Sequence, residues 1–273
     1  MKLLIILTCV VIFGCTKVDE ANITNEFTPL NVVCMNNVLS RASGTFPDGT
    51  EIGVYVSDGM PGQGYNGKSY NNIKATVKGG ELVFPEKIMV NSTPAKIYAY
   101  YPYRENVPDP WNMPINTLAL PNFLAGKVED VSFSNSNVIL EMRSVFTIMR
   151  VKIRNYASTP YSTIKYATLQ NGLNYTNLCI KGYFDLRFCH VMGDVDTSPH
   201  VVRYNAPSGG YQLTSYYPAD ESAIDILVFP FTIYSSQLFF TAVFSSGNHR
   251  TFQVPAGRWE AGTVNTYNLT VTR

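Results

Sequence analysis

The side chains that could carry catalysis or bind a metal are few and widely spaced in this sequence. Its three histidines, His190, His200 and His249, show no H-x-x-x-H or H-E-x-x-H spacing, so the ligand pattern of a zinc hydrolase is missing. Cys189 and His190 are adjacent, and adjacent residues of a strand point to opposite faces, which disfavours a nucleophile–base pair. G-x-S-x-G and phosphate-binding glycine motifs are absent as well. We therefore expect a non-enzymatic protein without catalytic residues, metal or cofactor.

The acidic stretch GDVDTS, residues 193–198, is a second candidate for metal binding. Asp194, Asp196 and Ser198 stand at alternate positions, as oxygen ligands of a calcium loop do. The glycine of the sharp turn and the closing glutamate are absent, so a solvated loop is the favoured interpretation. Carboxylate pairs for glycoside hydrolysis cannot be chosen from sequence, because any two acidic residues could face each other in the fold.

Aromatic residues are numerous enough to form a binding surface. The chain has 18 Tyr and 15 Phe, and YAYYPY, residues 98–103, lies close to Trp111. Tyr98, Tyr100 and Trp111 could present a platform for a glycan. The favoured interpretation is that alternate aromatics fill the core while the others cover the sheet, since aromatics are common in strands. Glycan contact by these three residues is kept as the alternative.

The chain begins with a segment that has the form of an export signal. Lys2 precedes an apolar run, residues 3–13, which is too short to span a bilayer as a helix but has the length of a signal-peptide core. The run leads into Gly14-Cys15, similar to a bacterial lipobox, in which the cysteine is acylated after cleavage. We predict a signal peptide over residues 1–14 and a lipid anchor on Cys15 in the outer membrane. A plain secretory signal with an incidental Cys15 is the alternative.

Charge and cysteine content restrict the partners. Without residues 1–14, which contain one charged residue, the chain keeps 20 basic and 20 acidic residues, and this balance argues against nucleic acid as a partner. Three cysteines follow Cys15, namely Cys34, Cys179 and Cys189. Because this number is odd, they cannot all pair, and a full disulfide framework is not expected. Cys179 and Cys189 could pair across a hairpin, although buried thiols are the simpler expectation.

Hydrophobic alternation predicts strands along almost the whole chain and no amphipathic helix. The alternation is clearest in EIGVYVS (51–57), IKATVK (73–78), KIYAYY (96–101) and IMRVKIR (148–154). Turn residues such as Pro47-Asp48-Gly49 and Ser208-Gly209-Gly210 separate these segments. Many short strands with regular turns predict an all-β protein of sandwich type.

A domain boundary is predicted near residues 134–137, SNSN. A proline-rich, weakly patterned stretch, residues 102–121, lies before it, and a long apolar run, residues 138–153, follows it. The predicted organisation is a lipidated tether with a candidate plug strand over residues 15–37, an N-terminal β-sandwich over residues 38–136 and a C-terminal β-sandwich over residues 137–273.

Several stretches together resemble the fimbrillin family of Bacteroidetes surface lipoproteins, the subunits of type V pili. The resemblance is carried in family order by Gly14-Cys15, SRASGTF before DGTEIGVYV, KIYAYYPY, VFTIMRVKIRN, GYFDL, ILVFPF and the closing VPAGRWEAGTVNTYNLTV. The pattern from Trp259 to Val271 is the most specific, whereas the others amount to a strand and a turn. The resemblance implies two tandem transthyretin-like β-sandwich domains and a location on the cell surface or in a fimbrium.

The resemblance also implies a maturation step. Subunits of the family reach the outer membrane as lipoproteins, and an arginine-specific protease cuts them ahead of the first domain; Arg41–Ala42 matches that bond here. Removal of the N-terminal strand would open a groove for a strand of another pilin subunit, which pairs with the unsatisfied backbone groups. The candidate plug side chains in this chain are Val32, Val33, Met35, Val38 and Leu39.

The sequence leaves several surface roles open. The chain stops directly after its last predicted strand, so a shaft subunit would have to donate its last strands, and a tip or accessory adhesin for host or bacterial surface ligands is equally compatible. An uncut, lipid-anchored subunit is a further variant. The alternative from another class is a lipid-anchored surface glycan-binding protein that does not polymerise.

Overall fold

The computed structural model describes residues 26–37, 44–157, 161–172, 178–194, 201–235 and 237–272, whose regular structure is almost entirely strand. The predicted all-β class is confirmed, since the only helix in these ranges is a three-residue 3-10 turn, Asp220–Ser222. Within the same ranges, no helix has the length and apolar character needed to cross a membrane. The predicted signal peptide and Cys15 lie outside the described residues.

The first half of the chain forms one sheet that curves round until its two ends meet. Its strands are β2 (Asn31–Asn37), β3 (Gly44–Thr45), β4 (Glu51–Ser57), β5 (Tyr70–Lys78), β6 (Glu81–Val83), β8 (Ala95–Tyr101), β10 (Leu124–Val131) and β11 (Asn137–Ser144), with a separate short pair, β1 (Thr28–Pro29) and β7 (Met89–Val90), beside them. The order is β11-β10-β8-β4-β5-β6-β2-β3, and β2 also pairs with β11. The result is a partly closed barrel, called the first barrel below.

Alternation decides which side chains fill the first barrel. In β11 every second residue is buried, and Val138, Leu140 and Met142 join the barrel core while the residues between them are exposed. In β4 almost every residue is buried, because the outer face of this strand is covered as well. The cover is supplied by the second half of the chain.

The second half forms two facing sheets around its own core. The strands are β12 (Thr147–Asn155), β13 (Thr163–Asn171), β16 (Val201–Asn205), β17 (Tyr211–Gln212), β18 (Ile224–Val228), β19 (Phe231–Ile233), β20 (Leu238–Phe244), β21 (His249–Gln253), β22 (Gly257–Trp259) and β23 (Val264–Val271). One sheet has the order β18-β12-β23, the other β16-β13-β20-β21, and β17 pairs with the start of β13. The short pair β19–β22 lies beside them. This pair of sheets is called the second unit below.

A third apolar core joins the two halves. Strand β9 (Met113–Asn116), from the proline-rich stretch, pairs with β14 (Lys181–Asp185), which also pairs with β15 (His190–Gly193). Phe123 stacks with Tyr100 at a centroid distance of 6.1 Å and meets the edge of Phe184 at 5.1 Å. The first barrel and the second unit are therefore packed against each other through buried aromatic rings.

The chain passes from the first barrel to the second unit between β11 and β12, which is later than the predicted boundary after residue 136. Strand β11 follows that point but pairs with β10 and β2 in the first barrel. The second unit begins with β12, where Met149, Val151 and Ile153 point into its core. The two halves of the apolar run of residues 138–153 therefore face different cores.

Candidate functional site: the N-terminal strand of the first barrel

Strand β2 closes the first barrel and is held on both edges. It runs parallel to β11 over all seven of its residues, from Asn31 opposite Asn137 to Asn37 opposite Arg143. On the other edge it pairs with β6 at a single position, Val33 opposite Glu81, and with the two residues of β3. The backbone N–H of Cys34 also donates to the carbonyl of Gly80 at 2.8 Å. One edge of β2 is thus tightly paired and the other loosely.

The inward side chains of this segment are Leu30, Val32 and Cys34. All three are buried in the core of the first barrel. Full burial of an aliphatic side chain contributes on the order of 1.5–3 kcal/mol, so Leu30 and Val32 are the main apolar anchors. Before them, β1 pairs with β7, and the N–H of Leu30 donates to the carbonyl of Ile88 at 2.9 Å.

The candidate plug side chains point in different directions. Val32 points inward, but Val33 is 37% exposed and Met35 lies half-buried, so neither fills the core in the way Val32 does. Val38 and Leu39 lie outside the described residues. Sequence reasoning missed Leu30 and Cys34, although the alternation Leu30, Val32, Cys34 was the signal that could have found them.

The Cys34 thiol behaves as a small apolar group. Desolvation by burial raises its pKa to about 12, so it stays protonated at neutral pH. A thiol in this state reacts slowly with electrophiles. Its reactivity therefore reports whether β2 is in place.

Removal of β2 would leave a gap with the chemistry of a strand-binding groove. The backbone edge of β11 would lose its partner, and the core positions covered by Leu30 and Val32 would open to solvent. Unpaired N–H and C=O groups beside an apolar slot favour the addition of another extended segment. No bond-making chemistry is needed for that exchange.

The predicted cleavage site falls in the connection between β2 and β3. Arg41 and Ala42 belong to residues 38–43, which lie outside the described residues. The chain on both sides is paired, with Asn36 opposite Gly44 and Met35 opposite Thr45. A cut in this connection would leave β2 held only by noncovalent contacts.

Strand β23 is the counterpart of β2 in the second unit. It pairs in parallel with β12 at eight positions, from Ile148 opposite Val264 to Asn155 opposite Val271. Among the described residues no strand pairs with its other edge. A hydrogen bond of 2.9 Å from Nε1 of Trp259 to the hydroxyl of Tyr267 fastens it to β22. With one backbone neighbour, β23 is easier to detach than a central strand.

Tyr98, Tyr100 and Trp111 do not form the aromatic platform that is the alternative interpretation of this stretch. Tyr98 and Tyr100 are buried in the core between the two halves, where neither ring is open to a glycan. The hydroxyl of Tyr100 donates to Oδ1 of Asn72 at 2.6 Å, and burial raises its pKa to about 12. Trp111 is partly exposed, and its ring lies 4.6 Å from the guanidinium of Arg187.

Polar residues with catalytic potential do not converge in the described part of the chain. There, no group of three His, Cys, Asp or Glu side chains could hold a metal ion. His190 and His249 are exposed and belong to different strands. Cys179 and Cys189 are not joined by a disulfide bond. Asp194 is described, whereas Asp196, Ser198 and His200 lie outside the described residues.

Two of the three comparisons with known proteins give matches. The model of a family described as fimbrillin-like matches residues 40–273, a stretch that starts one residue before Arg41 and after β2. Among solved structures, a candidate cell adhesion protein from Bacteroides uniformis is 15% identical, with a TM-score of 0.62 over 92% of this chain and 94% of that chain. Another, from Bacteroides ovatus, is also 15% identical, with a TM-score of 0.59 over 90% and 92%. These two structures share the fold. The comparison with curated proteins gives no match.

Proposed function

The chain belongs to the fimbrillin-like family, and on this basis we propose that it is a structural subunit or a tip or accessory adhesin of a type V pilus. In this proposal it is exported as a lipoprotein anchored through Cys15 to the outer membrane, folds as two tandem transthyretin-like domains, and joins other pilin subunits by donor-strand exchange. Cleavage after Arg41 converts the precursor into the form that assembles.

The observation that carries the proposal is the position of β2. This strand lies between β11 and β6, and its Val32 and Cys34, with Leu30 just before them, fill the first barrel. While it is in place, no strand of another subunit can enter. The segment therefore works as a plug that keeps the precursor from polymerising before it reaches the surface.

The exchange requires a loosely held plug and a suitable replacement. The single pair between β2 and β6 supports release from that side. The replacement must also be an extended strand, and β23 of another copy is the candidate, because it has one backbone neighbour and already pairs in parallel with β12. If β23 does not detach, the subunit accepts a strand without donating one and occupies the tip or an accessory position.

The alternative is a lipid-anchored glycan-binding protein that does not polymerise, and the structure gives little support to the aromatic residues considered for its binding site. Two of its three contact residues, Tyr98 and Tyr100, are buried. We therefore place assembly first.

The proposal is tested by substitution of the predicted cleavage residue in the full-length precursor. Arg41→Ala is compared with Arg258→Ala, which changes an arginine on β22 whose side chain is 77% exposed. Surface material is analysed by mass spectrometry of the N-terminus and by electron microscopy. We expect the wild type and Arg258→Ala to begin at Ala42 and to form filaments, and Arg41→Ala to stay intact and unassembled. Normal filaments from intact Arg41→Ala would exclude the processing step.

A further inference from the structure

The register of β2 on β11 is marked by an amide pair as well as by buried side chains. Nδ2 of Asn31 donates to Oδ1 of Asn137 at 2.8 Å, and the two residues are partners in the parallel ladder. Both lie on the exposed, outer face of the first barrel. A strand that slips by one residue turns its inward side chains outward, and a strand that slips by two loses the amide pair. Asn137 therefore distinguishes one register of the strand beside it from the others.

Strand β23 repeats the order of side chains found at the start of the plug. In LNVVC (30–34) and in YNLTV (267–271), three apolar side chains at alternate positions face a core, and an asparagine follows the first of them. The inward residues are Leu30, Val32 and Cys34 in the plug and Tyr267, Leu269 and Val271 in β23. Asn31 and Asn268 are both exposed. Each strand also runs parallel to its neighbour, β2 to β11 and β23 to β12.

This shared order selects one parallel register for β23 in the groove that β2 leaves. With Asn268 opposite Asn137, the three inward positions all receive apolar side chains. A shift of two residues in one direction would place Asn265 at the inward position of Leu30. A shift of two in the other direction would place Arg273 at the inward position of Cys34. An amide or a guanidinium in an apolar core is costly unless it is hydrogen-bonded or paired, so both shifts are disfavoured.

We propose that Asn137 is the residue that sets the register in which a subunit accepts β23 of a second copy, and that Asn268 of the donor is its partner. The inference rests on the donor-strand exchange of the proposed function and adds which residues meet. Once β2 has left, Oδ1 of Asn137 accepts a hydrogen bond from the Asn268 amide in place of the Asn31 amide. An extended segment that lacks this asparagine pairs with β11 less favourably, so the amide favours copies of this chain.

Cross-linking in filaments of the full-length chain, after cleavage by an arginine-directed protease, measures the register. Asn137→Cys is combined in turn with Asn268→Cys, Thr266→Cys and Thr270→Cys, and oxidised filaments are separated on a non-reducing gel. Residues opposite each other on neighbouring strands are within disulfide range, whereas a residue two positions along the strand is about 8 Å away and outside it. We expect a ladder of covalent oligomers from Asn268→Cys and none from the other two.

The other outcomes separate this inference from the proposed function. A ladder from Thr266→Cys or Thr270→Cys instead would mean a shifted or reversed strand and would overturn the register. Filaments of the Asn268→Cys variant without a ladder would overturn it as well, while strand exchange by another segment would stand. A cleaved wild type that forms no filaments would refute donor-strand exchange and this inference with it.

Charge tests whether the two asparagines meet. Asn137→Asp and Asn268→Asp should each assemble like the wild type, because an amide still faces the carboxylate. The double variant places two carboxylates opposite each other and should assemble about fivefold more slowly. Asn137→Asp with Thr266→Asp is the matched control and should assemble like the single variants, since Thr266 is also exposed on β23 but does not face residue 137 in this register. Equal rates for the two double variants would overturn the proposal.

Discussion

Val33 of β2 lies directly opposite Ile139 of β11, and both side chains face the outside of the first barrel, 37% and 59% exposed. The pair marks where an N-terminal segment meets a strand more than a hundred residues later in the chain. The inward neighbours Val32 and Leu140 are both buried in the barrel core. One face of β2 thus seals the core while the other remains available for engineering.

The two faces of β2 should respond differently to the same substitution. Val32→Asp places a carboxylate in the core and should lower the free energy of unfolding by about 3 kcal/mol or more. Val33→Asp, its matched control on the outer face, should lower it by only about 1 kcal/mol, because Asp has a low strand propensity and Glu81 lies directly opposite. Chemical denaturation of both variants measures the difference. Equal losses would show that β2 is not packed with Val32 inward.

The reactivity of Cys34 should report the release of β2. With a pKa of about 12 in the folded precursor, its thiolate fraction at pH 8 is on the order of one in ten thousand. Alkylation mapped by mass spectrometry should therefore be slow before cleavage after Arg41 and fast after the released strand has dissociated. Rapid alkylation of Cys34 in the uncut protein would contradict the closed barrel.

Acid should weaken the contact that joins Asp220, in the turn before β18, to strand β12. Lys152 and Arg150 lower the pKa of Asp220, so the charged form is favoured in the folded state. This stabilisation is present above the ordinary carboxyl pKa of about 4 and is lost as the pH falls below it. Between pH 6 and pH 3 the melting temperature of Asp220→Asn should therefore fall less than that of the wild type. Glu221→Gln is the control, and identical curves for Asp220→Asn and wild type would refute the prediction.

The core between the halves should couple their unfolding. Phe184 is fully buried there, and Phe184→Ala should cost about 3–5 kcal/mol and separate one calorimetric transition into two. Tyr183→Ala changes the neighbouring residue, which is 39% exposed on the opposite face of β14, and should keep a single transition. A single transition in Phe184→Ala as well would show that the halves are coupled elsewhere.

The strands could be predicted from sequence because their hydrophobic period of two is a local property. The EIGVYVS, KIYAYY and IMRVKIR segments all form strands. Which face of a strand packs against a core depends also on segments that are distant in the sequence. Alternation places Tyr98 and Tyr100 on the same face of β8, but it does not show that this face is buried too, as it is here because the second unit covers the barrel.

The closure of the barrel could not be predicted from sequence. Parallel pairing of β2 with β11 joins residues separated by more than a hundred positions, and no turn sets their register. A strand in residues 15–37 was expected, and the alternation of Leu30, Val32 and Cys34 marks its inward face, but the strand that it pairs with is seen only in the fold.

The central claim, that β2 must leave the first barrel before assembly, can be tested with a disulfide between the pair named above. In Val33→Cys with Ile139→Cys, neighbouring strands bring the two residues within the range that a disulfide can bridge. The single variant Val33→Cys is the control. After cleavage by an arginine-directed protease, filament formation is followed by electron microscopy with and without reductant. We predict that the oxidised double variant remains monomeric and assembles once reduced, whereas equal assembly in the oxidised state would contradict the account.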